Sequence, residues 1–331
     1  MELSTTFLGL ELKNPLIASA SPLTASLDSI KKLEDNGIAA VIMHSLFEEE
    51  ITHEIRQIDH FLHINNNSYA EATSYLPSEV DFDNLHADHY LEEIRRIKES
   101  VSVPVIASLN GASAGGWVNY ATKLQEAGAD ALELNITYIP TSMQLRGDEV
   151  EQMYIDTASM LAQHISIPLN VKMNPYFSSP ANMAKRFVDA GVKGLTLFDN
   201  PTLVDVDLEL LSPLQHANIT SSARLSETLR WCAILYNKLP CSLCANTGVH
   251  SGIDVLKAIM SGADAAALAS VLLIKGEAEI QNILSDINEW MQKHEYESIT
   301  QMKGSISLFH TDNPSAYERN SYMYALQHYR R

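Results

Sequence analysis

Residues 103–135 read VPVIASLNGASAGGWVNYATKLQEAGADALELN. Two short apolar runs, VPVIASLN from Val103 and GADALELN from Gly128, flank a stretch in which Trp117, Ala121 and Leu124 recur at helical spacing. Continuous apolar runs bounded by Gly and Pro suit strands buried on both faces of a parallel sheet. The unit repeats along the chain. NPLIASAS from Asn14, IPLNVKMN from Ile167 and LPCSLCANT from Leu239 also open on proline, while GIAAVIMHS from Gly37, GVKGLTLF from Gly191 and GADAAALAS from Gly262 open on glycine. The two kinds alternate strictly, with amphipathic stretches between them: Leu91, Ile94 and Ile97 share one face, as do Leu225, Leu229, Cys232 and Tyr236, and later Ile280, Ile283, Leu284 and Ile287. This alternation predicts a single α/β domain over residues 1–331, folded as a (β/α)8 TIM barrel. A doubly wound open sheet would rarely need so many units.

Segments outside the repeat have their own readings. STTFLGLELK, about residues 4–13, reads as a hairpin closing the barrel floor. Residues 46–86 and 199–223 are long connections after the second and sixth strands, and long βα connections lie over the catalytic face, so both are lid candidates. Residues 293–331, rich in Tyr, read as an extension packed on the outside of the barrel or on another subunit. At 331 residues, 46% hydrophobic and 19% charged, the chain can bury a full core. A formal charge of -18 and a pI near 5.0 repel phosphate backbones and acidic membranes, which argues against a nucleic-acid partner. No run approaches the ~20 apolar residues of a membrane helix, and we read the chain as cytoplasmic. Cys232, Cys241 and Cys244 are too few for a disulfide framework. The CxxC of Cys241 and Cys244 has no second pair or nearby His to complete a zinc set, so it reads as two small residues in a buried strand, and no metal site is expected.

Barrel strands aim their C-terminal ends at the active site. Those ends carry Ser19 and Ser21, His44 and Ser45, Asn110, Asn135 and Thr137, Lys172 and Asn174, Asp199 and Asn200, Asn246 and Thr247, then Ser270, whereas the opposite ends are mostly Pro, Gly and apolar. Any one of these residues could be a cap or a turn; a purely structural barrel would not need the asymmetry of the whole set. In ANTGVHSGIDVLKAI, Thr247, Gly248 and Gly252 stand between strand and helix, where backbone N–H groups can approach a phosphate closely, although a tight βα turn would use the same glycines. Ser270 would complete such a site from the eighth strand. Lys172 ends an otherwise apolar strand, a costly place for an ammonium unless it meets an anion or performs chemistry. It could form a Schiff base or hold negative charge on a reduced flavin ring.

NPLIASASP, ADALELN, NVKMNP and NTGVHSGIDVLKAIMSGADAAALAS resemble, in order and over the whole barrel, the blocks of the dihydroorotate dehydrogenase family, nearest its soluble class and the related dihydropyrimidine dehydrogenase barrel. The resemblance implies FMN as cofactor, with the phosphate at Gly248 and Ser270 and Thr247 beside them. Ser19 and Ala20 would lie along the flavin, Asn135 would bond flavin or substrate, and Lys172 would face the ring. Ser45 and Asn110 complete the expected cofactor set, and Asn200 and His44 the expected substrate contacts. Two positions depart from the family. Its second strand ends on a lysine where this chain has Met43 and His44, and its fourth strand runs into a block whose Cys or Ser takes a proton from the substrate where this chain has NITYIP. Tyr138 falls on that acid/base position, either as the base or as an aromatic wall, with Thr137 before it and Pro140 in place of a substrate-reading Asn.

The reading is therefore an FMN-dependent dehydrogenase acting on a CH–CH bond, with dihydroorotate to orotate as the reaction the resemblance implies, and with Tyr138 and Lys172 as catalytic residues. The alternatives are a flavin ene-reductase or dehydrogenase for another small cyclic substrate, a Schiff-base aldolase using Lys172, and a barrel that keeps flavin without catalysis. A homodimer is expected; the electron acceptor is not identified by the sequence.

Overall fold

The computed structural model describes residues 1–47, 85–111, 117–200, 203–216, 219–319 and 322–328. Eight parallel strands close on themselves: β3 (Leu16–Ala18), β4 (Ala40–Ile42), β6 (Val105–Asn110), β7 (Ala131–Asn135), β8 (Leu169–Met173), β9 (Gly194–Leu197), β12 (Ser242–Ala245) and β13 (Ala265–Leu268). The β13–β3 and β4–β6 pairings complete the circle, so the architecture is a (β/α)8 barrel and not an open sheet. A two-residue strand, β5 (Leu46–Phe47), prolongs the pairing of the second barrel strand beside Leu109 and Asn110.

The proline and glycine repeat has a local cause. Helices α1 (Leu27–Asp35), α3 (Trp117–Glu126), α5 (Pro180–Asp189) and α7 (Gly252–Ser261) follow the odd barrel strands. Just past their ends stand Gly37, Gly128, Gly191 and Gly262, with φ of 103°, 99°, 104° and 118°. That left-handed turn stops each helix and returns the chain to an even strand, and only glycine adopts it without a Cβ penalty. The remaining helices over the sheet are α2 (Leu85–Ser100), α4 (Gly147–His164), α6 (Leu225–Leu235), α8 (Ser270–Lys275) and α9 (Glu279–Lys293). Leu91, Ile94, Ile97, Trp117, Ala121 and Leu124 all turn into the core between helices and sheet.

A separate cluster fills the barrel's lower interior: Ile17, Ala40, Ile42, Ile106, Ala131, Cys244, Ala265 and Ala267 face inward. Phe7, Leu8 and Leu12, from the hairpin of β1 (Thr5–Phe7) and β2 (Leu10–Leu12), close it from below. The wide end is thereby left as the one open to polar groups. After β9 the chain forms a second hairpin, β10 (Leu203–Asp207) and β11 (Ser212–His216), within the 199–223 connection. The C-terminal segment docks on the outside of its own barrel, where the amides of Gly304, Ile306 and Leu308 donate to the carbonyls of Ile259, Met260 and Ala233. The 46–86 connection lies mostly outside the described residues, with β5 and the start of α2 at its edges.

Candidate active site

Alternation along the barrel strands sets the site. In β7, Ala131, Glu133 and Asn135 point inward while Leu132 and Leu134 enter the outer core, and in β8 Asn170 and Lys172 point inward. Above the apolar floor this makes a polar layer. Glu133 is fully buried, and its Oε1 lies 2.7 Å from the Lys172 ammonium. Its Oε2 accepts from Asn170 Nδ2 at 2.9 Å and from the Thr196 hydroxyl at 3.1 Å. Burial alone would favour a neutral Lys172 amine, but the carboxylates of Glu133 and Asp199 outweigh it and raise the pKa above the ordinary lysine value. Lys172 is thus a fixed cation at the bottom of the site. Asp199, just beyond β9, responds the other way: burial raises its pKa, while the Lys172 ammonium and hydrogen bonds from the Asn200 backbone and the Asn135 side chain hold the rise back.

Over this layer opens a cavity of about 410 Å³, a volume suited to a small-molecule ligand. Its wall includes Ser19, Ala20, Lys172, Asn200, Thr247, Gly248 and Ser270 of the residues singled out in the sequence, together with Asp199 and Asn246 from the strand-end set. Asn135 joins through its Nδ2, which donates to Asp199 Oδ1 at 3.3 Å, leaving a buried Oδ1 with no donor among the described residues. A buried acceptor left open in this way is what a ligand N–H can satisfy. Thr247 and Gly248 both have positive φ, 71° and 89°, so the turn after β12 exposes its backbone to the cavity. The Ser270 hydroxyl accepts from Thr220 N and from the Thr220 hydroxyl, both at 3.1 Å, and Thr220 in turn meets His250 Nε2 at 3.1 Å.

Besides Asn135, which reaches the wall through Asp199, four of the singled-out residues are not on it. The Ser45 hydroxyl turns to Ser108 Oγ at 2.8 Å. His44 packs edge-on against Tyr90 with ring centroids 4.9 Å apart, and its carbonyl accepts from the Tyr90 hydroxyl. Asn110 stands half-buried at the end of β6. Tyr138 is half-buried against the outer core, because Ile136 turns into that core and carries the chain out of the barrel. Gly252 also serves another purpose: a Cβ there would lie 2.5 Å from Asp286 Cβ and 2.9 Å from the Ile283 carbonyl, so it is glycine to let α7 approach α9. Sequence reasoning passed over Glu133, Asn170 and Thr196, although the alternation in ALELN places Glu133 on the same side as Asn135. Cys244 belongs to the barrel floor and Cys241 precedes β12; both are free thiols, and no cluster of metal-ligating side chains occurs among the described residues. No helix among the described residues is long and apolar enough to cross a membrane.

The sequence model of dihydroorotate dehydrogenase matches residues 2–291. A relative named dihydroorotate dehydrogenase B (NAD(+)), catalytic subunit, from Thermoplasma acidophilum is 26% identical over 316 residues, covering 92% of this chain and 98% of that protein. A protein of the same name from Methanocaldococcus jannaschii is 22% identical over 88% of this chain and 94% of its own. The NAD-dependent dihydropyrimidine dehydrogenase subunit PreA of Escherichia coli is 22% identical over 92% of this chain and 76% of its own. The match runs through every barrel strand and the cavity wall they support: the chain belongs to the dihydroorotate dehydrogenase family, whose members are dehydrogenases acting on CH–CH bonds.

Proposed function

We propose that the chain binds FMN in the 410 Å³ cavity and oxidises a CH–CH bond in a small cyclic substrate, with dihydroorotate, the compound its relatives' names carry, as substrate and orotate as product. The observation that carries this reading is Lys172, a buried cation held charged by Glu133 beneath open space at the C-terminal ends of the strands. When bound, the flavin supplies a two-electron acceptor for hydride. Lys172 would stabilise the negative charge that grows on the ring during reduction, an interaction stronger in the transition state than in the ground state. Ser19 and Ala20 would border the ring, the Thr247–Gly248 turn and Ser270 would hold the phosphate, and Asn135, Asn200 and Asn246 offer amides to ring or substrate. The aldolase alternative is disfavoured on the same observation. A Schiff-base lysine is activated by a lowered pKa, and Glu133 raises that of Lys172.

The chain is read as a cytoplasmic homodimer. Its electron acceptor is read as a partner protein, in line with relatives named as catalytic subunits of NAD(+)-linked enzymes. The test is a comparison of FMN, FAD and riboflavin added to flavin-free protein, followed by quenching of flavin fluorescence. FMN binding at one per chain, with riboflavin at least tenfold weaker, supports the reading. Absence of binding by all three defeats it.

A further inference from the structure

We propose that Asp199 accepts the proton from the substrate carbon in this chain, a role the family resemblance assigned to the Tyr138 position. The proposal rests on the flavin-dependent dehydrogenase reading above. Two observations motivate it. The first is that Tyr138 lies half-buried against the outer core and is not on the cavity wall. The second is that the described wall holds a carboxylate in its place. Among the described wall residues only Asp199 and Lys172 titrate, and Lys172, as an ammonium paired with Glu133, has no lone pair with which to accept a proton. The remaining polar side chains on the described wall are Ser, Thr and Asn, none of which carries a negative charge at neutral pH.

Asp199 is also held in place. Its backbone N–H donates to the Met173 carbonyl at 2.8 Å, and its carboxylate, which borders the cavity, accepts from Asn135 at 3.3 Å and from the Asn200 backbone. The charged and titratable groups that act on it among the described residues are Lys172 on β8, Glu133 on β7 and Tyr154 on α4. Burial raises its pKa above the ordinary carboxylate value, and a carboxylate so raised is a better proton acceptor than an exposed one. In the step, a substrate C–H bond breaks and its proton passes to the Asp199 carboxylate. The electron pair left behind forms the new C=C bond as hydride leaves the adjacent carbon for the oxidised flavin, and Asp199 then returns the proton to water.

The test uses the FMN-loaded protein and Asp199→Asn, which is isosteric and keeps an oxygen to accept from Asn135. FMN content is measured first: wild-type protein that takes up no FMN defeats the proposed function itself, independently of Asp199. With FMN bound, anaerobic reduction by dihydroorotate or dihydrouracil is followed across pH. The expected result is a wild-type rate that climbs as Asp199 deprotonates, and a loss of about 100-fold or more in Asp199→Asn with that pH limb gone. Asp199→Asn within threefold of wild type overturns the proposal, as does a comparable loss in Tyr138→Phe with Asp199→Asn unaffected. Should neither substrate reduce the wild-type protein, the flavin absorbance is titrated with pH. A one-proton transition in wild type that is missing in Asp199→Asn supports the assignment, and its absence in wild type overturns it.

Discussion

At the scale of single residues, Lys172 was legible as an ammonium in an apolar strand, but its partner was not singled out. The reading followed strand ends, and Glu133 sits one inward position below its strand's end. Asp199 was seen as one polar end among many, since sequence cannot show which end residues reach a common cavity. Replacing Lys172 with alanine should slow flavin reduction by on the order of 100-fold, the cost of removing one group that stabilises developing negative charge, while FMN is retained; stopped-flow reduction against bound-flavin content checks this. Asp199 makes a second prediction, in stability. Its carboxyl pKa is raised on folding, so the folded state holds the proton more tightly than the unfolded chain, and stability falls as pH rises from the ordinary carboxylate range through the folded pKa. Asp199→Asn should therefore be more stable than wild type at neutral pH, with the gap closing toward acid. Chemical denaturation of the flavin-free proteins at several pH values measures it, and a less stable variant at neutral pH would refute the sign.

The elements were the most legible part of the chain, and the reason is physical. Gly37, Gly128, Gly191 and Gly262 end four helices in the left-handed region, so each leaves the same mark in the sequence just before an even strand. The glycines after β12 were harder to separate, because phosphate access and close packing both call for a missing Cβ. A Cβ on Gly252 would meet α9, and one on Gly248 would lie 2.4 Å from Leu225 N, at the start of α6. Gly252→Ala should cost about 1–3 kcal/mol as overpacking between α7 and α9, leaving the FMN affinity of the folded protein within a fewfold of wild type. Gly248→Ala, at a φ of 89° on the cavity wall, should lower that affinity as well. Thermal melts and FMN titrations of the two variants distinguish the roles; equal losses of affinity would show that Gly252 also shapes the phosphate end. The β10–β11 hairpin gave little advance sign, since its exposed Val204, Val206, Leu208 and Leu210 alternate with acids and read as connection.

For the whole molecule, charge is the property that sequence states most directly. The chain carries -18, and residues 48–84 contain nine Asp or Glu against a single arginine, Arg56. At the cavity, Lys172 is offset by Glu133, and Asp199 adds a further carboxylate. An anionic substrate such as dihydroorotate would approach against this field, and salt screens such repulsion over a Debye length of about 8–10 Å. Its association rate should rise with ionic strength, and that of uncharged dihydrouracil should not; a rate for dihydroorotate that falls with salt would show a cationic approach path. The central claim is that this cavity houses a flavin that takes electrons from a CH–CH bond. It is tested most directly by the visible absorption spectrum of the purified protein before and after anaerobic addition of dihydroorotate and dihydrouracil. The account predicts an oxidised flavin spectrum, at one FMN per chain, that bleaches with at least one of the two. A colourless protein that cannot be reconstituted with FMN, or a bound flavin that neither compound reduces, would contradict it.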